Sequence, residues 1–216
     1  IWGVEFIKGN FYLIFSFFTD LGGLIAIIGV LMALWRRYVT KPDRLDNKPD
    51  DAITLIWILV VLVTGFLAES ARISHSMPAF EVWSFVGWTL APMFGGMSKE
   101  AISGTHMAFW YIHMLLSFGL IAYIAYSRLL HIVTSSLNMT FRGVEDSPRG
   151  ALTPIADFET AEEFGINKIE DYTWRQMLDF DACTRCGRCQ ARCPAHLSEK
   201  PLSPKKHILD MEKNLL

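Results

Sequence analysis

All four cysteines of the chain fall within thirteen residues, 183–195, which read CTRCGRCQARCPA. Thiolates in a C-x2-C-x2-C-x3-C-P run hold the corners of a [4Fe–4S] cluster. Cys183, Cys186 and Cys189 sit on a tight turn that can bind three corners of one cubane, and Pro194 ends that turn. Gly187 lets backbone N–H groups approach the sulfides. Where such a run serves two clusters, its fourth cysteine ligates the other one. Cys193 is therefore expected to serve a second cluster, with the missing ligands of both lying beyond Leu216. If the chain ends there, Cys193 must close a single unusual cluster, or a partner must donate a ligand. A zinc site is the alternative, but zinc motifs usually pair two separated C-x2-C knuckles.

Histidines in apolar surroundings are the second chemical signal. His113 and His131 are eighteen residues apart. In an unbroken helix that is five turns, so both would face one side, roughly 27 Å apart along the axis. One helix could then offer an axial ligand to each of two b-type haems. The plainer reading makes His131 an interfacial residue beside Arg128 and lets His113 bond a neighbouring helix. Two bis-histidine haems need four histidines, and the apolar part supplies His75, His106, His113 and His131. His75 and His106 sit at the far ends of their helices from His131, so at least one ligand must come from elsewhere.

A third group, His106, His75, Arg72, Glu69 and Asp20, is expected at one end of the helices. A quinone site needs an apolar wall with a few polar groups that bond its carbonyls and pass protons. Each residue also has a bland role: Glu69 and Arg72 can mark a helix end, and Asp20 can pair with Arg72. Arg128 is a candidate partner for a haem propionate, or it can snorkel to an interface.

Apolar spans must position these groups. Residues 11–35 carry one charge, Asp20, over a length that crosses a ~30 Å hydrocarbon core. Residues 52–74 and 105–134 read as two further spans. The stretch 79–97 is aromatic but short, with a proline and a glycine pair, and suits an interfacial helix. The loop 36–48 holds five Lys or Arg, which places it in the cytoplasm by the positive-inside rule. Three crossings then leave the cysteines inside, where cluster assembly expects them. A fourth crossing at 79–97 is the rival reading and would put them outside. Beyond the spans, 135–172 reads as a polar connector with Pro148 and Pro154. A short helix over 171–181, a proline-rich loop and a helix from about Lys205 follow.

Composition agrees with two unlike halves: 51% of the 216 residues are hydrophobic, 19% are charged, and the apolar ones crowd into 11–134. A formal net charge of −2 gives no reason to expect nucleic-acid binding. Four clustered cysteines suit a metal site better than disulfides. No Gly-rich phosphate loop, nucleophile–base signature or HExxH motif is present, so hydrolysis and group transfer have no support. The chain begins with Ile1 and has no signal-peptide pattern, as expected of a piece of a longer protein.

The stretch 171–208, DYTWRQMLDFDACTRCGRCQARCPAHLSEKPLSPKKHI, resembles the start of the iron–sulfur module in membrane-bound heterodisulfide reductase-like proteins. These include electron-transfer-flavoprotein:menaquinone oxidoreductases. In that family the module follows a cytochrome b domain like the nitrate reductase gamma subunit. HMAFWYIH (106–113) and SRLLHIVTSSLNMTFR (127–142) resemble the final helix of that domain. The resemblance implies that His113 and His131 are haem ligands. It also implies that helices one and two, a second cysteine run and cysteine-rich CCG domains belong to a longer protein or to separate subunits.

The expected architecture is an all-α membrane helical bundle, three spans plus an outer interfacial helix. A small ferredoxin-like α-helical [4Fe–4S] segment follows on the cytoplasmic side of a prokaryotic cytoplasmic membrane. The expected domains are a cytochrome b-like part (1–140), a connector (141–172) and an iron–sulfur part (173–216). The expected role is electron transfer between an electron-transfer flavoprotein-like donor and menaquinone, through [4Fe–4S] clusters and b-type haems. Two alternatives stay open. One is a quinol-oxidising subunit that feeds a cytoplasmic disulfide reductase module. The other is a non-haem membrane anchor with a relay cluster.

Overall fold

The computed structural model describes residues 9–142, 144, 159, 166 and 168–215. Most of the expected connector, with Pro148 and Pro154, lies outside them. The described residues form helices and turns, with no strand among them. They divide into two compact units: residues up to Lys41 with Asn47–Tyr123, and Pro42–Asp46 with Ile124 onward.

In the first unit, α1 (Gly9–Trp35) runs on through a π-helical turn, Arg36–Thr40. It stops where Lys41 turns left-handed at φ 44°, returns its N–H to the Arg36 carbonyl, and precedes Pro42. α2 (Pro49–Ser74) begins with proline at its first position, where the missing N–H costs no hydrogen bond. Asp51 accepts from the Lys48 N–H at 3.0 Å and pairs with Arg37 at 3.0 Å, which ties the two helix ends together. A 3-10 turn (Ala79–Trp83), the short α3 (Phe85–Leu90) and a second 3-10 turn (Ala91–Phe94) follow, then α4 (Lys99–Ile124).

α1 with its π turn, α2 and α4 are each long and apolar enough to cross a membrane. The segment 79–94 is not. The polarity is the reverse of a water-soluble bundle. Phe11, Ile14, Phe18, Ile25, Leu115, Phe118 and Ile121 face outward, whereas Ser16, Asp20, Ser70, Glu81 and Ser84 are buried. Lipid provides no penalty for exposed apolar groups and no partners for polar ones, so the polar groups turn inward and bond each other.

The expected span 105–134 is not one helix. α4 ends at Ile124 and α5 (Leu130–Thr140) begins after a turn. Ser127 supplies the reason. Its hydroxyl donates back to the Ile124 carbonyl and accepts from the Leu129 N–H, which competes with the helical pattern.

In the second unit α5 packs on α6 (Trp174–Asp181). Thr134 donates to the Asp181 carbonyl at 3.2 Å, Asn138 to Asp179 at 2.6 Å, and Phe141 meets Trp174 edge-on. Thr173 caps α6, its hydroxyl accepting from the Gln176 N–H while the Gln176 side chain accepts from the Thr173 N–H. The cysteine run is mostly loop: Cys189 lies in the single turn α7 (Arg188–Ala191), Cys193 precedes the single turn α8 (Pro194–Leu197), and α9 (Pro204–Leu215) lies against α6 and α7.

Candidate redox site

The histidines of α4 are oriented by α2. Nδ1 of His113 lies 3.0 Å from the Val61 carbonyl oxygen and 3.2 Å from the Thr64 hydroxyl, which itself donates to the Val60 and Val61 carbonyls. A carbonyl only accepts, so the proton sits on Nδ1 and the lone pair is left on Nε2, the nitrogen a metal takes. Gly65 gives the ring its place: a Cβ there would stand 3.1 Å from Cε1 of His113. His106 repeats the pattern, with Nδ1 2.9 Å from the Ala68 carbonyl. His131 does so within its own segment, Nδ1 meeting the Arg128 carbonyl. The eighteen-residue phase argument required an unbroken helix and does not apply across the turn at Ser127.

The polar cluster differs in membership from the expected one. Arg72 does not pair with Asp20. Its partner is Glu81, at 2.5 and 3.1 Å, and Tyr12 donates to the same carboxylate at 2.8 Å to each oxygen. Ser84 donates to Glu81 at 3.0 Å and also meets Ser16. Burial alone would raise the Glu81 carboxyl. The donors Arg72 and Tyr12 and the guanidinium charge outweigh burial and hold it below the usual range. Asp20 accepts from the N–H groups of Val86, at 2.7 Å, and Gly87, at 3.4 Å. It also hydrogen-bonds Glu69, which reaches Ser84 as well. Gly87 leaves room for that side chain: a Cβ there would stand 2.7 Å from Glu69 Oε2 and Glu69 would have to shift. His75 is exposed at the end of α2 and His106 bonds elsewhere, so the five candidates do not form one group.

Sequence reading missed Glu81, Tyr12, Ser16 and Ser84. The signal was present: Tyr12, Ser16 and Asp20 recur every four residues along an otherwise apolar helix, one polar stripe. Glu81 is the lone acid of an aromatic segment.

The cysteine loop is built around two left-handed residues, Arg185 (φ 55°) and Gly187 (φ 69°), on either side of Cys186. A Cβ on Gly187 would strike the Arg44 carbonyl, so the loop comes this close only with glycine. Burial raises the Cys183 thiol, opposed by a hydrogen bond from the Arg185 N–H. Burial acts the same way on Cys186. There the N–H of Arg188, the Thr184 hydroxyl and the Arg188 charge prevail, and the thiol falls below its ordinary value. Backbone N–H groups aimed at sulfur stabilise thiolate, as an iron–sulfur ligand requires. Among the described residues no three His, Cys, Asp or Glu side chains converge on a point that would hold a single metal ion. A cubane asks for something different, since each thiolate binds a separate iron corner. The clustered thiols and the N–H donors at Cys183 and Cys186 fit ligation of such a group.

Two family models match the chain. One, described as nitrate reductase gamma subunit, covers residues 5–145. The chain belongs to that family. The second, a 4Fe-4S binding domain, covers 174–195 and all four cysteines. Both halves of the resemblance read from the sequence are thus matched. An "EtfAB:quinone oxidoreductase" of Syntrophomonas wolfei is 40% identical over 96% of this chain and 30% of its own length. A "Probable iron-sulfur-binding oxidoreductase FadF" of Bacillus subtilis is 30% identical over 96% of this chain and 29% of its own. A "Probable membrane-anchored ferredoxin" of Chromohalobacter salexigens is 55% identical over 47 residues, 22% of this chain and 7% of its own. The chain spans about a third of the length of the first two. No solved structure matches it. The chain thus joins a nitrate reductase gamma-type domain, with three helices long and apolar enough to cross a membrane, to a 4Fe-4S binding segment.

Proposed function

We propose that this chain passes electrons between a soluble electron-transfer flavoprotein and menaquinone in the prokaryotic cytoplasmic membrane. The observation that carries the reading is the union, in one chain, of a gamma-subunit domain and a four-cysteine cluster segment, aligned over 96% of its length with a relative named for both ends of that path. Residues 1–140 serve as the cytochrome b-like part, 141–172 as the connector and 173–216 as the iron–sulfur part.

Cys183, Cys186 and Cys189 hold three corners of a [4Fe–4S] cluster on the cytoplasmic side, and Cys193 serves a second cluster. The clusters supply one-electron carriers there. His113 and His131 offer Nε2 to b-type haems, since their Nδ1–H groups are taken by carbonyls. Arg128 would pair with a haem propionate. Menaquinone reduction takes two electrons and two protons. Asp20 and Glu69, hydrogen-bonded to each other, are the proton-handling candidates, with Arg72, His75 and His106 at the same end of the helices.

The full-length protein, isolated in detergent and titrated with a reductant, tests this. A b-type α-band and a reduced-cluster paramagnetic signal are expected, both reoxidised by a menaquinone analogue. No α-band in the intact protein overturns the haem assignment. Retained activity after replacement of His113 and His131 would favour the anchor with a relay cluster instead.

A further inference from the structure

The cysteine loop contains a residue that its backbone disfavours. Arg185 sits between two of the cysteines at φ 55°, a left-handed conformation that glycine adopts freely and a side chain resists. Strained backbone persists only where the surroundings over-determine it. Here the restraint is visible. The Arg185 guanidinium donates from Nη2 to Oε1 of Glu212 at 2.7 Å, across twenty-seven residues of sequence. Both side chains are mostly buried, 24% and 18% exposed. Glu212 lies on α9, which packs against α6, just before the first cysteine, and against α7, which carries Cys189. Its second oxygen, Oε2, is buried with no hydrogen-bond partner among the described residues.

We infer that the Arg185–Glu212 ion pair is the latch that holds the cysteine loop in its ligating shape, and that the Glu212 charge lowers the potential of the cluster held there. The two residues are positioning residues; neither touches iron. The latch acts through the backbone, because the Arg185 N–H is also a donor to the Cys183 sulfur. Turning the side chain away would turn that N–H with it. The charge acts through space. A reduced cluster carries one more negative charge than an oxidised one, and a buried carboxylate beside it disfavours the added electron.

The inference rests on the cluster reading above, and its test separates the two. Full-length protein is prepared anaerobically as wild type and as Arg185→Gly, Arg185→Lys, Glu212→Ala and Glu212→Gln. Iron and sulfide per chain, and the reduced-cluster signal during a potentiometric titration, are measured for each. Arg185→Gly is the decisive variant, because it relieves the backbone while removing the latch. It is expected to lose at least half of the cluster that Cys183 ligates, as is Glu212→Ala, with Arg185→Lys between these and wild type. Glu212→Gln keeps a hydrogen-bond acceptor and is expected to retain the cluster at a more positive potential. Cluster content in Arg185→Gly and Glu212→Ala equal to wild type overturns the latch. An unchanged potential in Glu212→Gln overturns the charge effect. A wild-type protein with no cluster signal overturns the underlying reading instead.

Discussion

Nδ1 of His113 on α4 stands 3.0 Å from the carbonyl oxygen of Val61 on α2. That single relationship fixes the tautomer, the ring plane and the neighbour that supports both. The same carbonyl also accepts from the Thr64 hydroxyl, which itself lies 3.2 Å from Nδ1, so ring, hydroxyl and carbonyl form one local group. Gly65 lies one turn on, where any side chain would meet the ring. An apolar helix face thus carries three consecutive features that serve one histidine.

Replacing His113 by alanine is expected to remove one b-type haem and about half of the α-band, measured by pyridine haemochrome content per chain. Gly65→Leu should do nearly the same without touching a ligand, because it displaces the imidazole. Gly65→Ala needs the ring to give by only a few tenths of an ångström and should keep the haem with a shifted potential. Full haem in Gly65→Leu would mean that His113 binds nothing.

The parts legible in the sequence were those written in one local pattern. The cysteine run announced itself by spacing, α6 and α9 by their flanking turns, and the three long helices by apolar length. Two things were not local. The break at Ser127 depends on one hydroxyl outcompeting the helix ladder in a segment that otherwise reads as continuous. The partner of Arg72 depends on how the segment after Pro78 folds back, which brings Glu81 rather than Asp20 to the guanidinium. Charge sign could not choose between two acids, and Glu81, the nearer in sequence, was read as part of a separate interfacial segment.

The cysteines should separate into two classes. Cys183→Ser, Cys186→Ser and Cys189→Ser are each expected to abolish one cluster signal in the full-length protein. Cys193→Ser is expected to affect a different signal with distinct g-values. Iron analysis alone would not distinguish them, so the comparison is made on the paramagnetic spectra. Loss of the same signal in all four variants would place the four thiolates on one cluster.

Acid should weaken the network around Glu81. Its carboxyl is held below the ordinary value of 4.5 in the folded protein by Arg72 and Tyr12 against the opposing effect of burial. A group with a depressed folded value stabilises the fold above its ordinary value, and that stabilisation disappears as pH falls through the depressed one. Thermal stability in detergent is therefore expected to drop on acidification below about pH 4.5. Glu81→Gln should flatten that acid limb while lowering stability at neutral pH by about 1–3 kcal/mol, since Arg72 keeps a weaker partner. An unchanged acid limb in Glu81→Gln would assign the effect to another carboxyl.

Asp20 offers the sharpest separation of structure from chemistry. It is 2% exposed, and one oxygen accepts the N–H groups of Val86 and Gly87, which stand in the first turn of a short helix where N–H groups lack an intrahelical acceptor. Asp20→Ala leaves those donors buried and unpaired, at a cost of about 1–3 kcal/mol, and should lower the melting temperature measurably. Asp20→Asn keeps an acceptor oxygen of the same shape, so stability should change much less. It also replaces a group that binds and releases a proton with one that does not, beside a Glu69 to which Asp20 is hydrogen-bonded. If the pair passes protons to a quinone, Asp20→Asn should slow menaquinone-analogue reduction at least tenfold while cluster and haem reduction by dithionite stay normal. Slow quinone reduction in Asp20→Ala alone, with Asp20→Asn at the wild-type rate, would reduce Asp20 to a cap for α3.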